Sequence, residues 1–478
     1  MSSTAQSLAG KRIYSLLDEN SFVEIGGCVT ARNTDFNLSE KETPADGVIT
    51  GYGVIDGSLV YVYSQDASVL NGSIGEMHAK KIVHLYDLAM KTGAPVIGLI
   101  DCAGFRLQEA TDALNAFGEI YTKQVMASGV IPQITGIFGN CGGGLAVVPA
   151  LTDFTFMEKD KARLFVNSPN ALEGNDSSKC DTSSAQYQSQ NAGLVDVLGS
   201  EEEILAQMRQ LVSMLPSNYE DNSAYTECTD DLNRVCPELV NCVGDTSIAL
   251  SQIADNNEFF EVKAEYAKDM VTGFIRLNGA TVGCVANRSE IYNEEGEKTD
   301  SFDNVLSARG CKKAAQFVKF CDAFEIPVLT LTNVKGYKAT KCSEANMARN
   351  AAELTNAFIS ATVPKVNVVI GEAFGSAYLT MNSKSTGADM VYAWPSAQIG
   401  MMDAKLAAKI MYAGSDVQTI NEKAAEYAML QSSALSAAKR GYVDTIIEPL
   451  DTRKYVIGAF EMLFTKRENR PDKKHGTV

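Results

Sequence analysis

The sequence predicts an α/β protein that contains two copies of one domain, and three observations lead to that prediction. Several segments of the first half recur in the second half at the same spacings. Short apolar runs that suit buried strands alternate with amphipathic helical segments. A glycine-rich turn follows a strand at the corresponding place in each half. A length of 478 residues also exceeds what one hydrophobic core normally supports.

The repeat is clearest in TGYGVIDG at Thr50–Gly57 and TGFIRLNG at Thr272–Gly279, each a strand that runs into a tight turn. Downstream of this segment, four proline and glycine positions keep the same spacings in both copies. These spacings are nine residues for Pro95–Gly104 and Pro327–Gly336, 28 for Gly104–Pro132 and Gly336–Pro364, and 11 for Pro132–Gly143 and Pro364–Gly375. The longer interval in the second copy contains the polar run NEEGEKTDSF from Asn293, which is typical of a surface loop.

The secondary structure of each copy alternates between strands and helices. The runs PVIGLID, PQITGIFG, PVLTLTN and PKVNVVIG are short and apolar, as expected of strands buried on both faces of a sheet. Helices are predicted over Glu76–Thr92 and Ala308–Phe324. The predicted organisation is an N-terminal helical arm over residues 1–44, a first domain over 45–214, a polar linker over 215–244 and a second domain over 245–478.

The composition excludes several classes of function. A net charge of −17 would repel a phosphate backbone, so nucleic acid is not an expected partner. Eleven cysteines without a CxxC motif, no signal peptide and no long apolar run predict a reduced, cytoplasmic chain. No metal site is expected, because the neighbouring Cys228, Cys236 and Cys242 lack the spacing of a zinc site.

The strongest chemical signal is FGNCGGGLAVV at Phe138–Val148, where a strand ends, three glycines follow and a helix begins. Backbone N–H groups at such a helix start can hold a phosphate or form an oxyanion hole, and a simple packing turn is the third interpretation. No GxxxxGK[ST] motif or following basic residue supports phosphate binding. The second copy, GEAFGSAYLTM at Gly371–Met381, has small residues at the same junction. Two such turns favour a site that stabilises two oxygens.

Side-chain catalysis receives little support from the sequence. Only three histidines are present, and neither a Ser/His/Asp arrangement nor an HExxH motif is visible. Catalysis through backbone donors is therefore favoured.

Longer segments carry a resemblance to a known family. They are PADGVITGYGVIDG, NGSIGEMHAKKI and GAPVIGLIDCAGFRLQE in the first half, and NEFFEVKAEYAKDMVTGFIRLNG, AAQFVKFCDAFEIP and YAWPSAQIGMM in the second. With these segments the chain resembles the biotin-dependent acyl-CoA carboxyltransferases, and among them the propionyl-CoA carboxylase β chains and the carboxyltransferase subunit of methylmalonyl-CoA decarboxylase. The resemblance implies two tandem crotonase-like domains, each a ββα spiral, related by internal duplication.

The resemblance also implies roles for individual residues. Gly143 and Gly144 would hold the thioester oxygen of an acyl-CoA enolate, and Ser376 and Ala377 would hold the ureido oxygen of biotin. Leu379 would present an apolar wall that favours propionyl-CoA/methylmalonyl-CoA or acetyl-CoA/malonyl-CoA over glutaconyl-CoA. The remaining expected substrate contacts are Gly104, Gly336 and Gly375.

The implied cofactors are biotin, attached to a separate carrier protein, and coenzyme A as part of the substrate. The implied partners are the biotin carboxyl carrier protein, a biotin carboxylase or a membrane decarboxylase subunit, and further copies of this chain in a hexamer. A decarboxylase complex would place the cytoplasmic chain at the membrane surface. Two alternatives stay open: a crotonase-type hydratase, isomerase or decarboxylase that works without biotin, and a non-catalytic structural paralogue.

Overall fold

A computed structural model describes residues 6–33, 38, 41–221, 225–472 and 477–478. The chain divides into two compact units, Met1–Ala224 and Tyr225–Val478, which we call unit 1 and unit 2. The boundary between them falls within the stretch 215–244. Each unit has its own large sheet and its own hydrophobic core. The α/β class predicted from the sequence is confirmed.

Unit 1 combines helices of 3 to 18 residues with an eight-stranded sheet. Its helices are α1 (Leu8–Leu16), α2 (Glu76–Thr92), α3 (Ala110–Ala127), α4 (Val147–Leu151), α5 (Ala185–Tyr187) and α6 (Glu201–Met214). Its strands are β1 (Val23–Ile25), β2 (Val48–Ile55), β3 (Ser58–Gln65), β4 (Val96–Cys102), β5 (Gln133–Gly142), β6 (Phe154–Glu158), β7 (Arg163–Phe165) and β8 (Val197–Gly199).

The sheet of unit 1 begins with antiparallel strands and continues as a parallel sheet, in the order β1-β2-β3-β4-β5-β6-β8. Asp56 and Gly57 join β2 to β3, and both have positive φ, as a type I′ hairpin turn requires. β5 is long enough to pair with β6 in its first half and with β7 at Asn140–Gly142. Because β4 and β5 are parallel neighbours, their carboxyl ends lie side by side.

Unit 2 contains a second eight-stranded sheet and a separate two-stranded ribbon. Its helices are α7 (Thr246–Ile253), α8 (Ala308–Ala323), α9 (Lys341–Ser360), α10 (Gly375–Thr380), α11 (Ala404–Met411), α12 (Val417–Tyr427), α13 (Ala434–Lys439) and α14 (Thr452–Leu463). Its strands are β9 (Phe259–Val262), β10 (Met270–Leu277), β11 (Ala280–Asn287), β12 (Glu290–Tyr292), β13 (Lys298–Ser301), β14 (Val328–Val334), β15 (Lys365–Phe374), β16 (Met390–Ala393), β17 (Gln398–Gly400) and β18 (Thr445–Ile446).

The sheet of unit 2 has the order β18-β16-β15-β14-β11-β10-β9, which repeats the pattern of unit 1 from an antiparallel edge into a parallel sheet. As in unit 1, the long strand β15 has two successive neighbours, β16 and then β17. The polar insertion that the sequence predicts as a loop forms the turn and the exposed second strand of the ribbon β12–β13, because the chain reverses at Gly296 and pairs with the half-buried β12.

The hairpin turn at the antiparallel edge is held in the same way in both units. In unit 1 the carboxylate of Asp18 accepts the Gly57 N–H at 3.1 Å, and in unit 2 the carboxylate of Asp255 accepts the Gly279 N–H at 2.7 Å. Each carboxylate also pairs with an arginine from the last helix of its unit, Arg209 with Asp18 and Arg453 with Asp255, both at 2.7 Å. The helices α1 and α7, which precede these carboxylates, therefore occupy corresponding places.

A buried lysine holds the first long helix of each unit to the segment that leads into the second strand of its sheet, β2 in unit 1 and β10 in unit 2. Lys81 on α2 donates to the carbonyl groups of Ala45 and Val48. Lys313 on α8 donates to three carbonyl groups at 2.7–2.9 Å. Burial lowers the pKa of Lys81 to about 8 and that of Lys313 to about 7. These groups are structural, since their donors are taken up by backbone carbonyls.

Within the described parts of the chain, no helix is long and apolar enough to cross a membrane. In the same residues no group of three or more His, Cys, Asp or Glu side chains could hold a metal ion.

Candidate active site

A cavity of about 580 Å³ opens at the carboxyl ends of β4 and β5 in unit 1. It is lined by two turns, Cys102–Phe105 after β4 and Gly142–Leu145 after β5. The remaining lining residues are Leu107, Phe117, Asn140 and Phe165. The carboxyl edge of a parallel sheet is the usual position of a ligand site in α/β proteins. The structure thus brings Gly104, Gly143 and Gly144 to one place.

The turn after β5 has the backbone conformation that its glycines permit. Gly143 has a φ of +64°, a left-handed conformation that glycine adopts more readily than other residues. A Cβ atom built at Gly143 would meet nothing within 4 Å, so this backbone faces open space. A short 3₁₀ turn, Gly143–Ala146, follows and leads into α4. The first N–H groups of such a turn have no acceptor within it, and they can donate to a ligand.

Gly144 lies against the aromatic wall of the cavity. A Cβ atom at this position would approach the ring of Phe105 to 3.2 Å and the hydroxyl oxygen of Tyr121 to 3.4 Å. The rings of Phe105 and Phe117 meet edge to face with centroids 4.7 Å apart, and Phe117 meets Tyr121 in the same way at 4.9 Å. Any side chain at Gly144 would therefore narrow the cavity.

The turn after β4 is anchored by a buried ion-pair cluster. Arg106 contacts the carboxylates of Asp46 and Glu109, and all three side chains are at most 1% exposed. The Gly104 carbonyl accepts the Ile74 N–H at 2.9 Å. Burial raises the pKa of Asp46, although Arg106 acts in the opposite direction. Arg106 already engages both carboxylates, so this cluster positions the turn and offers no free catalytic base.

No titratable nucleophile or base among the described lining residues is poised for reaction at neutral pH. Cys102 is the only lining residue with a thiol, and burial raises its pKa to about 12. His78 is fully buried beside Asp46 and outside the lining, and burial followed by the nearby Arg106 lowers its pKa to about 3. Among the residues that the structure describes, the lining includes no Asp, Glu, Lys or Arg. Backbone N–H groups are therefore the main polar donors of the site.

Unit 2 has a closely similar turn after β15. Gly375 has a φ of +62°, and α10 begins at this residue. A Cβ atom at Gly375 would approach the carbonyl oxygen of Met401 to 3.2 Å. Ser376 is exposed and Ala377 is buried, so the two N–H groups at this helix start lie at the boundary of the core. Gly336 follows β14, the parallel neighbour of β15, and so lies at the same edge of the sheet.

Leu379 lies on α10 one turn beyond Ser376, with 44% of its surface exposed. Its carbonyl oxygen accepts the hydroxyl of Thr386 at 2.9 Å. The side chain thus presents apolar surface on the helix that begins at the second turn.

Sequence reasoning missed the aromatic residues around the first turn. Phe105 immediately follows the predicted Gly104, so its place in the cavity could have been inferred from that neighbourhood. Phe117 and Tyr121 come from the middle of α3 and Phe165 from β7, and no motif marked them.

Comparisons with known proteins agree with this geometry. The carboxyl transferase domain family matches residues 3–478. A propionyl-CoA carboxylase beta chain of Roseobacter denitrificans is 40% identical over 484 residues, covering 98% of this chain and 93% of the relative. The methylmalonyl-CoA decarboxylase subunit alpha of Veillonella parvula is 39% identical over 482 residues, covering 98% and 92%. The solved transcarboxylase 12S structure, a hexamer assembly with hydrolysed methylmalonyl-coenzyme A bound, is 36% identical with a TM-score of 0.92, covering 99% and 93%.

These matches define the class of protein as an α/β carboxyltransferase with the duplicated crotonase fold that the sequence predicted. The chain belongs to the carboxyl transferase domain family and is the carboxyltransferase component of a biotin-dependent acyl-CoA carboxylase or decarboxylase. The prediction of the enzyme class is thereby confirmed.

Proposed function

We propose that the chain moves a carboxyl group between biotin on a separate carrier protein and the α-carbon of a short acyl-CoA. The observation that carries this proposal is the pair of equivalent turns, Gly143-Gly144 and Gly375-Ser376, each with a left-handed glycine at the end of a ten-residue strand. The transfer involves two carbonyl oxygens that gain negative charge, one on the thioester and one on the ureido ring. Two backbone donor sites match two such oxygens.

The turn in unit 1 acts on the acyl-CoA. The N–H groups of Gly143 and Gly144 stabilise the thioester oxygen as the α-carbon loses either its proton or its carboxylate and the enolate forms. Each preorganised donor contributes about 3 kcal/mol to lowering the barrier. The apolar lining from Phe105, Phe117 and Phe165 excludes water and thereby strengthens these hydrogen bonds. Gly104 lines the same cavity and lets the substrate approach the backbone closely.

The turn in unit 2 suits the ureido group of biotin. Biotin supplies the carboxyl group to be moved and a ring nitrogen that can accept the α-proton. The N–H groups of Ser376 and Ala377 fit its oxygen, because they stand at a helix start and Gly375 takes the positive φ that turns them toward the sheet edge. Gly336, at the end of the neighbouring strand, leaves room beside them, since a Cβ atom there would meet nothing within 4 Å.

The acyl group is a short aliphatic one. In the proposed hexamer, α10 of one copy would face the acyl-CoA bound to unit 1 of another copy. Leu379 on α10 presents an apolar surface there and offers no cation or hydrogen-bond donor to a second carboxylate. We therefore expect turnover with methylmalonyl-CoA or malonyl-CoA to exceed turnover with glutaconyl-CoA about tenfold, which corresponds to one poorly paired polar group. Equal or faster turnover of glutaconyl-CoA would contradict this assignment.

The proposed partners are the proteins that would bring biotin to this chain and add or remove the carboxyl group on it. Biotin comes on a carrier protein, and a biotin carboxylase or a membrane decarboxylase subunit loads or unloads it. In the second case the chain works at the membrane surface. The assembly is a hexamer like that of transcarboxylase 12S. Sedimentation of a fully active monomer at micromolar concentration would contradict the assembly.

The function is tested by following the full chain with methylmalonyl-CoA, with and without free biotin, and measuring propionyl-CoA by chromatography. We expect product formation that requires biotin and saturates with it. Product formation at the same rate without biotin would favour the crotonase-type alternative. Binding of the CoA thioester without any turnover would favour the structural paralogue.

A further inference from the structure

A hydroxyl group holds the carbonyl oxygen of the second turn residue in each unit. In unit 1 Tyr121, on α3, donates its O–H to the carbonyl of Gly144. In unit 2 the hydroxyl of Thr380 donates to the carbonyl of Ser376 at 3.1 Å, and the hydroxyl of Tyr337 lies 2.9 Å from that of Thr380. The same backbone atom is therefore fixed in both units, directly in one and through a relay in the other.

The direction of the relay follows from counting protons. A hydroxyl group carries one hydrogen, so Thr380 can donate to only one acceptor. Since it donates to the Ser376 carbonyl, it accepts from Tyr337. Thr355 also lies within 3.3 Å of Thr380, but its own hydrogen has a closer acceptor in the Ala351 carbonyl at 2.8 Å. The chain of donors therefore runs from Tyr337 through Thr380 to the turn.

The two tyrosines do not occupy equivalent positions. From Gly104 to Gly143 in the first copy, the offset to the second copy is constant at 232 residues, since 336 − 104 and 375 − 143 are both 232. At that offset the counterpart of Tyr121 is Glu353, and the counterpart of Tyr337 is Phe105. A packing contact inherited through the duplication would have kept one position. The two units instead supply the hydroxyl from different elements, which points to a requirement of the turn itself.

The turn in unit 1 consists of glycines, so a contact from another element is needed to hold its backbone. Gly143 and Gly144 have no side chains to restrict their backbone, and glycine loses more conformational freedom on ordering than other residues. Fixing the Gly144 carbonyl fixes the plane of the peptide bond that follows and so limits rotation at Gly144. The Tyr121 ring is itself held by Phe117, edge to face. Burial raises the pKa of Tyr121, so its hydroxyl stays a donor at neutral pH.

We propose that Tyr121 and Tyr337 are positioning residues that hold the two donor turns in their working geometry, Tyr121 for the acyl-CoA and Tyr337 for biotin. This inference rests on the proposed function of the turns. Neither tyrosine reacts or carries a proton in the transfer. Each keeps the backbone N–H groups of its turn aligned with an oxygen before the substrate arrives.

The test compares Tyr121→Phe with Tyr61→Phe in the full chain. Both changes remove one hydroxyl from unit 1 and keep the ring, but the Tyr61 hydroxyl lies 3.3 Å from that of Thr92, whose hydrogen has a closer acceptor in the Leu88 carbonyl at 3.0 Å, and it is away from the cavity lining. With methylmalonyl-CoA and free biotin we expect Tyr121→Phe to lower kcat about tenfold with KM for the acyl-CoA within twofold of wild type. Tyr61→Phe should change neither constant more than twofold. Amide hydrogen exchange over residues 143–146 should rise only in Tyr121→Phe.

Each possible result has a distinct meaning. A kcat for Tyr121→Phe within twofold of wild type would overturn the inference while leaving the proposed function intact. Loss of folded protein with normal specific activity of the rest would also overturn it, since the hydroxyl would then serve stability alone. A wild-type chain without biotin-dependent transfer would refute the proposed function. In that case, unchanged amide exchange over residues 143–146 in Tyr121→Phe would also refute the role of the Tyr121 hydroxyl in holding the turn.

Tyr337→Phe should raise KM for biotin about threefold and leave KM for the acyl-CoA unchanged. The reverse pattern would refute the assignment of Tyr337 to the biotin turn.

Discussion

The turn after β5 and the turn after β15 have the same backbone and different surroundings. Gly143 and Gly375 have φ values of +64° and +62°, and each directly follows a strand of ten residues. The first turn is rimmed by the aromatic rings of Phe105 and Phe117, whereas the second is rimmed by the hydroxyls of Tyr337 and Thr380. The conformation is shared although the side chains are not. The difference teaches that the backbone geometry is the common element, and under the proposed function the side chains would adapt each copy to its own ligand.

A second comparison between the units concerns the arginine–aspartate ion pair whose carboxylate holds the hairpin turn of each unit. Arg453 and Asp255 in unit 2 are 0% and 6% exposed, whereas Arg209 and Asp18 in unit 1 are 26% and 29% exposed. Removing one partner of a buried pair leaves an uncompensated charge in the core, whereas an exposed carboxylate returns to water. The equivalent pairs should therefore differ in their importance for stability.

The largest expected effect is on the stability of unit 2. Arg453→Ala should lower its free energy of unfolding by about 3–5 kcal/mol, whereas Arg209→Ala should lower that of unit 1 by about 1 kcal/mol or less. Trp394, the single tryptophan, is buried beside Thr452 in unit 2, so its fluorescence during urea unfolding reports on this unit, while amide hydrogen exchange in α6 reports on unit 1. Equal destabilisation by both changes would mean that burial does not distinguish the pairs.

The next largest expected effect tests whether the two turns serve different ligands. Gly375→Ala forces a side chain into a left-handed conformation and against the Met401 carbonyl, so it should raise KM for biotin about tenfold, the loss of about one hydrogen bond to a charged group. KM for the acyl-CoA should stay unchanged. Gly296→Ala is the matched control, since Gly296 has a φ of +78° and open space around it in the exposed ribbon. An equal rise in both KM values would contradict the division of labour.

The smallest effect concerns the buried lysines. An unfolded lysine has a pKa near 10.4, so between the lowered folded pKa and that value the unfolded chain binds more protons and stability rises with pH. With folded pKa values of about 7 for Lys313 and about 8 for Lys81, Lys313 contributes most of this rise between pH 7 and 8. Lys313→Met should therefore remove about 1 kcal/mol of the gain over that interval, and Lys81→Met much less. Urea titrations at pH 6, 7, 8 and 9 measure it, and identical slopes for the two variants would contradict it.

The parts of the fold that could be predicted from the sequence are those in which prolines and glycines recur at the same spacings in both halves. The spacings from Pro95 to Gly143 fixed two parallel strands and their turns, and helix α2 agrees with the predicted Glu76–Thr92. The relation of α1 to α7 could not be predicted, because LAGKRIYSL and TSIALSQI share no motif and correspond only in their place beside an aspartate-held hairpin. Likewise, Tyr121 reaches Gly144 from 23 positions away on another element, which is a tertiary contact without a local signal.

The measurement that tests the central claim most directly compares turnover in Gly143→Ala and Gly57→Ala. Both glycines have positive φ and open space around a Cβ atom, so both substitutions strain the backbone similarly, by about 1 kcal/mol. Only Gly143 lines the cavity, where the added methyl group would keep the thioester oxygen from the turn. We expect biotin-dependent transfer to fall about 100-fold in Gly143→Ala and less than twofold in Gly57→Ala, with similar melting temperatures. Equal activity of the two variants would show that the turn is a packing feature and would contradict the assignment of its N–H groups to catalysis.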